Sequence, residues 1–236
     1  MRILELLREG RTKRVYATDD PGIVLLDYKD EATAFKGLKH GRVPGKGEAN
    51  NRISNCLMRM LERNGITTHY VEEISDTQTL VRRAEVIPLA VAVRNRAAGS
   101  LCQRLELAEG TLIPHPIVEY AYKNDELEDP LVNESHILTM GWASAEELRE
   151  MTARARQINR LMQAYLKDKA VELVDMRLEF GRTRDGELIL VDEISPDTCR
   201  FWDLNTQQKM DKDRFRENLG GVPEAYHEMM IRLLGL

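Results

Sequence analysis

Residues 174–194 read VDMRLEFGRTRDGELILVDEI, and this stretch decides the fold. Apolar and charged residues alternate from 174 to 181, which is typical of a strand with one buried face. A second apolar run, 188–194, predicts a partner strand. Asp185-Gly186 lies between the two runs and is a strong signal for a two-residue hairpin turn. The stretch therefore predicts an antiparallel hairpin with acidic residues on both strands.

The predicted turn gives a register in which Glu179 lies directly opposite Asp192. Like charges in such a pair destabilise a sheet, and a divalent cation held by carboxylate oxygens would offset their repulsion. The hairpin by itself leaves two alternatives open. One carboxylate could take a basic neighbour such as Arg177, or a bulge could shift the register.

Size and composition indicate an ordinary globular protein. The chain has 236 residues, of which 42% are hydrophobic and 31% charged, enough for one compact unit or two small lobes. The net charge of -5 argues against general nucleic-acid binding. No apolar run approaches membrane-spanning length, and residues 1–8 are too short and too charged for a signal peptide. The three cysteines fit neither a disulfide framework nor a zinc site, which favours a reducing cytoplasm.

The first third of the chain is rich in predicted strands. One helix interrupts them at 48–64, and Gly65 supplies its C-terminal stop. We expect residues 1–84 to form a small antiparallel nucleotide-binding lobe. The predicted strands are 13–17, 23–28, 68–74 and 79–83.

The remaining residues, 85–236, predict a larger α+β lobe. Ser144 and Glu147 have the spacing of a capping box that opens a helix reaching about residue 170. A final helix is predicted from about Pro223, after two glycines. The fold class is therefore α+β, with an antiparallel nucleotide-binding lobe and a larger mixed lobe. Small-molecule sites often lie between such lobes, so we expect the site in the cleft.

Two segments could bind phosphate. In the first, Gly10-Arg11-Thr12-Lys13 joins two predicted strands, and a glycine turn with cations can present N–H groups and a lysine to polyphosphate. Its spacing does not match a P-loop, so these residues alone favour a solvated basic hairpin.

The second segment surrounds Ser100, where a helix over 100–107 is predicted to begin. Gln103 has the position for a capping box, which explains the pattern structurally. A helix N-terminus also presents free N–H groups to an anion, and the guanidinium forks of Arg94 and Arg96 suit a phosphate monoester. The residues leave both interpretations open.

Several segments together resemble one enzyme family. Residues 175–181 (DMRLEFG) and 192–200 (DEISPDTCR) resemble the D-x-K-x-E-F-G and D-E-x-x-P-D-x-x-R signatures of the phosphoribosylaminoimidazole-succinocarboxamide synthases, or SAICAR synthetases, of purine biosynthesis. The resemblance continues through 93–100 (VRNRAAGS), 123–135 and 210–216 (MDKDRFR). It covers essentially the whole chain.

The resemblance implies an ATP-dependent ligase. Such an enzyme joins the carboxylate of carboxyaminoimidazole ribotide to the α-amine of L-aspartate, giving SAICAR, ADP and phosphate through an acyl phosphate. It implies ATP and Mg²⁺ as cofactors, a cytoplasmic homodimer, and no nucleic-acid or membrane partner. Phosphoryl transfer requires positioning and charge neutralisation, which agrees with the lack of an evident Ser-His-Asp or Cys-His arrangement in the sequence.

With the resemblance, specific residues acquire expected roles. The metal ligands are Glu179 and Asp192. The catalytic residues are Glu179, Asp192, Lys13, Arg177 and Asp175. The nucleotide-binding residues are Gly10, Arg11, Lys13, Val15, Val81, Arg82 and Ala84. The substrate-binding residues are Arg94, Ser100, Arg200, Asp197, Lys123 and Asp125. The chain departs from the family pattern at Arg11, Lys36 and Arg177.

Two other functions use the same residues. A small-molecule kinase would share the ATP and metal site but release a phosphorylated product, and aspartate-dependent ATP turnover would distinguish the ligase from it. A non-catalytic nucleotide sensor would bind ATP without consuming it and would not need Glu179 and Asp192 together.

Overall fold

The computed structural model describes residues 1–34 and 39–235. Lys36, one of the departures from the family pattern, lies outside the described residues. Within them, the strands are β1 Ile3–Glu9, β2 Lys13–Thr18, β3 Ile23–Tyr28, β4 Glu31–Ala34, β5 Lys39–Arg42, β6 Tyr70–Ser75, β7 Gln78–Arg82, β8 Glu85–Arg96, β9 Leu112–Tyr122, β10 Leu131–Val132, β11 Val171–Arg182, β12 Leu188–Val191 and β13 Cys199–Asp203. The helices are α1 Lys46–Arg63, α2 Ser100–Leu105, α3 Glu134–Thr139, α4 Ala145–Lys167, α5 Asp213–Arg216 and α6 Val222–Leu234.

The first sheet has the strand order β1-β2-β3-β7-β6, and every neighbouring pair is antiparallel. The four predicted strands are all present, with ends shifted by at most two residues. Residues 67–69 run beside β12 of the second sheet before β6 begins, with a parallel bridge between Thr68 and Leu190. The segment thereby connects β6, an edge strand of the first sheet, with β12, an edge strand of the second sheet.

The second sheet has the order β10-β9-β8-β11-β12, and β13 also pairs with β11. The strand β11 lies at its centre. β8 pairs along one edge of β11, while β13 and β12 pair with the first and last parts of its other edge. Every element that carries a predicted substrate or metal residue in this sheet is therefore within one or two strands of β11.

The alternation of β11 sorts its side chains onto two faces. Met176, Leu178 and Phe180 lie in the main core, on the side of the sheet covered by α4. Asp175 and Glu179 belong to the opposite set because successive side chains point to opposite faces. A bulge between Leu173 and Asp175, against β13, shifts the pattern by one residue. Burial of one face thus dictates which residues remain for chemistry.

The hairpin register differs from the prediction by one residue. Glu179 pairs with Val191, not with Asp192. The loop has three residues, 184–186, because Thr183 pairs with Glu187 and Gly186 takes a positive φ of 83°, a common three-residue hairpin geometry. The predicted second strand is also too long, since β12 ends at Val191 and Asp192 has a φ of 64°.

Helix ends follow the predicted signals with one exception. The capping box of α4 is present, with Ser144 and Glu147 bonding each other's backbone N–H groups, and α6 begins beside Pro223 as predicted. The capping box at α2 is wrong: Gly99 precedes the helix, and no side chain caps it. No helix among the described residues has the length and apolar content to cross a membrane.

The packing of α4 on the second sheet yields a stability prediction. Ile158 is fully buried in the main core, so Ile158→Ala should lower the free energy of unfolding by about 2–5 kcal/mol through lost transfer energy and a cavity. Urea denaturation followed by circular dichroism measures the change. Arg160→Ala, on the exposed side of the same helix, is the control and should differ from the parent by less than about 0.5 kcal/mol.

Candidate active site

Asp175 is held between two arginines on neighbouring strands. In the sheet register it lies directly across from Arg94 of β8 on one side and Arg200 of β13 on the other. Its Oδ2 accepts from Arg94 Nη1 at 3.1 Å and from Arg200 Nη1 at 2.8 Å. Opposite charges on adjacent strands thus form a row that is fixed by the sheet itself.

The row extends at both ends through further ion pairs. Glu119 of β9 accepts from Arg94 Nε at 2.6 Å and from Arg104 Nη2 at 2.7 and 2.9 Å. At the other end, Asp213 accepts from Arg200 Nε at 2.6 Å and from Arg216. We call the complete series the arginine–carboxylate chain. Its order is Arg104–Glu119–Arg94–Asp175–Arg200–Asp213–Arg216.

Sequence reasoning missed four members of the arginine–carboxylate chain, namely Arg104, Glu119, Asp213 and Arg216. Arg104 lies one helical turn after Ser100, which was a usable signal. Asp213 and Arg216 belong to the segment 210–216, which the sequence had singled out without giving its residues a role. Arg96, expected beside Arg94, instead binds Glu172 at 2.6 Å and the carbonyl oxygen of Gly110 at 2.8 Å.

A cavity of about 470 Å³ opens beside the arginine–carboxylate chain. The three predicted ribotide residues, Arg94, Ser100 and Arg200, all line it. Glycine is required at Gly99, because a Cβ there would lie 2.4 Å from Arg200 Nη2 and φ is +54°. The guanidinium of Arg200 therefore lies against Gly99, the residue that leads to Ser100. The cavity also reaches Asp129, Asp175, Arg177, Asp197 and Arg216.

A second cluster lies where β12 ends. Lys13, the first residue of β2, binds both Asp192 and Glu193, and Lys123 binds Glu179. Glu179 and Asp192 are close enough to interact strongly, although they are not a cross-strand pair. The structure therefore brings the two predicted metal ligands together with two lysines.

The cluster holds strongly perturbed acids. Burial, followed by the charge of Asp192, raises the pKa of Glu179, and the same two causes raise the pKa of Glu193 to about 7. Burial opposes the ionisation of Asp192, but Lys13 and a hydrogen bond from Glu193 hold the pKa of Asp192 well below its usual range. Negative charge is thus crowded at this point.

The donor set suits Mg²⁺. Its oxygens belong to carboxylates, and a cation would relieve the repulsion by Asp192 that, after burial, raises the pKa values of Glu179 and Glu193. No three His, Cys, Asp or Glu side chains converge as a metal cage in residues 1–34 and 39–235. Mg²⁺ commonly takes only one or two carboxylates and completes its shell with phosphate oxygens and water. Glu179 and Asp192 fit that pattern.

Arg177 and Arg11 replace lysines of the family pattern, and both bind acidic side chains. Arg177 donates to Asp129 Oδ2 at 2.9 Å and to Glu179 Oε1 at 3.3 Å. Arg11 binds Asp125 in an exposed pair. The pair joins the β1–β2 turn to the segment after β9.

The other predicted nucleotide residues lie along β2 and β7. Val15 and Val81 contribute to one small apolar cluster with Val24, Leu26 and Tyr28. Gly10 closes the β1–β2 turn by donating its N–H to the carbonyl oxygen of Lys13. Arg82 donates to the carbonyl oxygen of Thr68, and Ala84 lies between β7 and β8. Val15 and Val81 share the face of the first sheet that carries Lys13.

Asp197 lines the cavity, but its carboxylate is already bound. Lys46, only 1% exposed, lies 2.8 Å from Asp197 Oδ2, and Tyr226 donates to Oδ1 at 2.6 Å. No role was predicted for Lys46, and the pair joins residues that are far apart in the sequence. The pair fastens the start of α1 to the segment that follows β12.

Comparison with known proteins identifies the family. The family model described as SAICAR synthetase matches residues 6–233. The chain belongs to the SAICAR synthetase family. A phosphoribosylaminoimidazole-succinocarboxamide synthase of Coprothermobacter proteolyticus is 55% identical over 233 residues, covering 99% of each sequence.

Solved SAICAR synthetases share the fold. The crystal structure of the synthase from Ehrlichia chaffeensis has a TM-score of 0.96 at 41% identity and covers 98% of this chain and 99% of its own. A SAICAR synthetase in complex with ADP has a TM-score of 0.95 at 43% identity and covers 98% of both chains. The predicted family, α+β fold and synthase activity are confirmed.

His69 was given no role from the sequence, and it lies close to Lys13 and Asp192 in this SAICAR synthetase. The backbone N–H of His69 donates to the carbonyl oxygen of Leu190 at 2.9 Å, and Leu190 lies two residues before Asp192. Burial, followed by the positive charge of Lys13, lowers the pKa of His69 to about 3. The imidazole is therefore neutral in the folded protein.

This neutral histidine predicts an acid-sensitive component of stability. Below pH 6.5 the imidazole of His69 is protonated in the unfolded chain but stays neutral in the folded protein. The free energy of unfolding therefore falls as the pH falls from 6.5 towards 3. At pH 5 the loss is about 2 kcal/mol. Urea unfolding at pH 5 and pH 8 should show a smaller difference for His69→Gln than for the parent. His115→Gln removes an exposed imidazole and should behave like the parent; equal behaviour of all three proteins would contradict the prediction.

Proposed function

We propose that this protein joins the carboxylate of carboxyaminoimidazole ribotide to the α-amine of L-aspartate with consumption of ATP, giving SAICAR, ADP and phosphate. One observation carries the proposal. The same face of β11 presents Asp175, Arg177 and Glu179 at alternate positions, spanning about 13 Å. The Asp175 end meets the arginines of the cavity, and the Glu179 end meets Lys13 and Asp192.

Each end suits one part of the reaction. Arg94, Ser100 and Arg200 suit a phosphate monoester, since guanidinium forks bind phosphate oxygens in pairs. Lys13 suits the phosphates of ATP, and the relative bound to ADP supports nucleotide use. We assign nucleotide binding to Gly10, Arg11, Lys13, Val15, Val81, Arg82 and Ala84. The ribotide carboxylate would then lie between the two ends, beside Arg177.

The chemistry follows from this arrangement. A carboxylate is a poor acyl donor because its leaving group would be oxide, so transfer of the γ-phosphoryl group of ATP must precede attack by the aspartate amine. Lys13 and Arg177 neutralise phosphate charge during that transfer. Glu179 and Asp192 would hold Mg²⁺, which supplies charge neutralisation at phosphate oxygens when bound.

The remaining predicted residues act through neighbours in this proposal. Lys123 orients Glu179, Asp125 orients Arg11, and Asp197 anchors the segment between β12 and β13 through Lys46. We also propose lobes over 1–84 and 85–236, which agrees with the extents of the two large sheets. A cytoplasmic homodimer without nucleic-acid or membrane partners completes the proposal.

The decisive experiment combines substrate omission with isotope labelling. ADP release should require ribotide, and the full reaction should also require L-aspartate. With ¹⁸O in the ribotide carboxylate, mass spectrometry should find label in inorganic phosphate. ATP turnover that does not depend on L-aspartate and yields a stable phosphorylated product would establish a kinase instead. ATP binding without turnover would establish a sensor, and unlabelled phosphate would exclude the acyl phosphate.

The metal assignment predicts a specific loss in Glu179→Gln. Removal of one ligand charge should lower turnover by at least about tenfold and raise the Mg²⁺ concentration needed for half-maximal rate. Asp185→Asn removes an exposed carboxylate from the same hairpin and is the matched control. Thermal denaturation confirms that both variants fold. An unchanged Mg²⁺ requirement in Glu179→Gln would refute the assignment.

A further inference from the structure

The last two members of the arginine–carboxylate chain lie beyond the residues that the proposed function uses. Asp213, at the start of α5, has a side chain only 4% exposed and bridges Arg200 and Arg216. Arg200 belongs to β13, whereas Arg216 comes from α5. One buried carboxylate therefore sets the spacing of two guanidinium groups that both line the cavity.

The position of Asp213 is itself fixed by a second acid. Asp211 is fully buried, and its Oδ1 accepts from the N–H of Asp213 at 2.8 Å. Its Oδ2 accepts from the N–H of Phe201 at 2.9 Å, the residue next to Arg200. The segment that carries Asp213 is thus fastened directly to the strand that carries Arg200, so their relative position is rigid.

Arg216 keeps donors available for a ligand. Its Nη1 donates to Asp213, and hydrogen bonds within residues 1–34 and 39–235 leave its Nε and Nη2 uncommitted. Its side chain is 34% exposed and borders the cavity. Arg214, two residues earlier, is instead committed to the carbonyl oxygens of Lys209 and Gly220.

Charge along the chain also favours an anion. Four guanidinium groups alternate with three carboxylates, which leaves one net positive charge before any ligand binds. Every arginine is held by at least one carboxylate, so each keeps its orientation without being neutralised completely. Preorganised donors of this kind bind an anion without the cost of ordering long side chains.

We propose that Arg216 is a further ligand of the ribotide 5′-phosphate and that Asp213 is the positioning residue that aligns Arg216 with Arg200. This inference rests on the proposed function for the identity of the anion. Asp213 acts only through the two arginines, and its side chain does not line the cavity.

The test compares the ribotide with the same compound lacking its 5′-phosphate. Arg216→Ala should raise the KM for ribotide about tenfold, since a charge-assisted contact is lost. The KM for ATP and kcat/KM for the dephosphorylated compound should stay unchanged. The preference for the phosphorylated substrate therefore falls about tenfold. Calorimetric titration with ribotide gives the same comparison without turnover.

Asp213 is tested by Asp213→Asn and Asp213→Glu. Asp213→Asn should reduce the phosphate preference in the same way, and Asp213→Glu should restore part of it because a carboxylate returns. Glu217→Gln is the matched control, since Glu217 pairs with Lys209 outside the cavity and its loss should leave the preference intact. Thermal denaturation reports on folding, and Arg216→Ala decides the ligand assignment if Asp213→Asn does not fold.

The outcomes separate this inference from the proposed function. A parent enzyme with no aspartate-dependent turnover of ribotide would overturn the proposed function. An active parent enzyme with an unchanged phosphate preference in Arg216→Ala would overturn the role of Arg216 alone. Reduced stability of Asp213→Asn with an unchanged preference would make Asp213 merely structural and overturn its positioning role.

Discussion

The ion pairs of Asp175 with Arg94 and Arg200 are the interaction on which the proposed substrate end of the site depends. All three groups are largely buried, and buried ion pairs repay their desolvation only with good geometry. The sheet supplies that geometry, because the two arginines flank Asp175 on adjacent strands. Because Asp175 is shared by Arg94 and Arg200, these three groups carry one net positive charge. Apolar residues in their place could give equal stability but no such charge. The arrangement therefore agrees with the proposed anion site.

The strand β11 holds the charged residues in place because its other face is apolar and buried in the core. Met176, Leu178 and Phe180 are locked in the main core, so the backbone that carries the charged residues cannot shift without disrupting packing. A site built on such a strand holds its groups more accurately than one built on loops. The bulge after Leu173 adds a local correction. It lets the core and the charged row each keep a continuous face.

The proposed nucleotide end depends on charges from both sheets. Lys13 comes from the first sheet and binds Asp192 and Glu193 at the end of β12, while the bridge between Thr68 and Leu190 ties the same regions through the backbone. The arginines that depart from the family pattern fit this construction. The planar fork of Arg177 reaches Asp129 and Glu179 together, a geometry that a lysine point charge does not match. The assembly of this end is thus coupled to the contact between the sheets.

The sequence by itself determined the α+β fold and the central strand with its charged face, because alternation and turn chemistry are local signals. The resemblance to the family pointed to Arg94, Asp175, Glu179 and Arg200 as candidate site residues. Sequence reasoning gave the wrong hairpin register, since a two-residue and a three-residue loop containing Asp185-Gly186 differ only in backbone torsions. It could not find Glu119, Asp213 or the pair of Lys46 with Asp197, whose partners are far apart in the chain. Only the tertiary structure decided these contacts, because ion pairs between distant segments depend on how strands and helices pack and leave no periodic trace in the sequence.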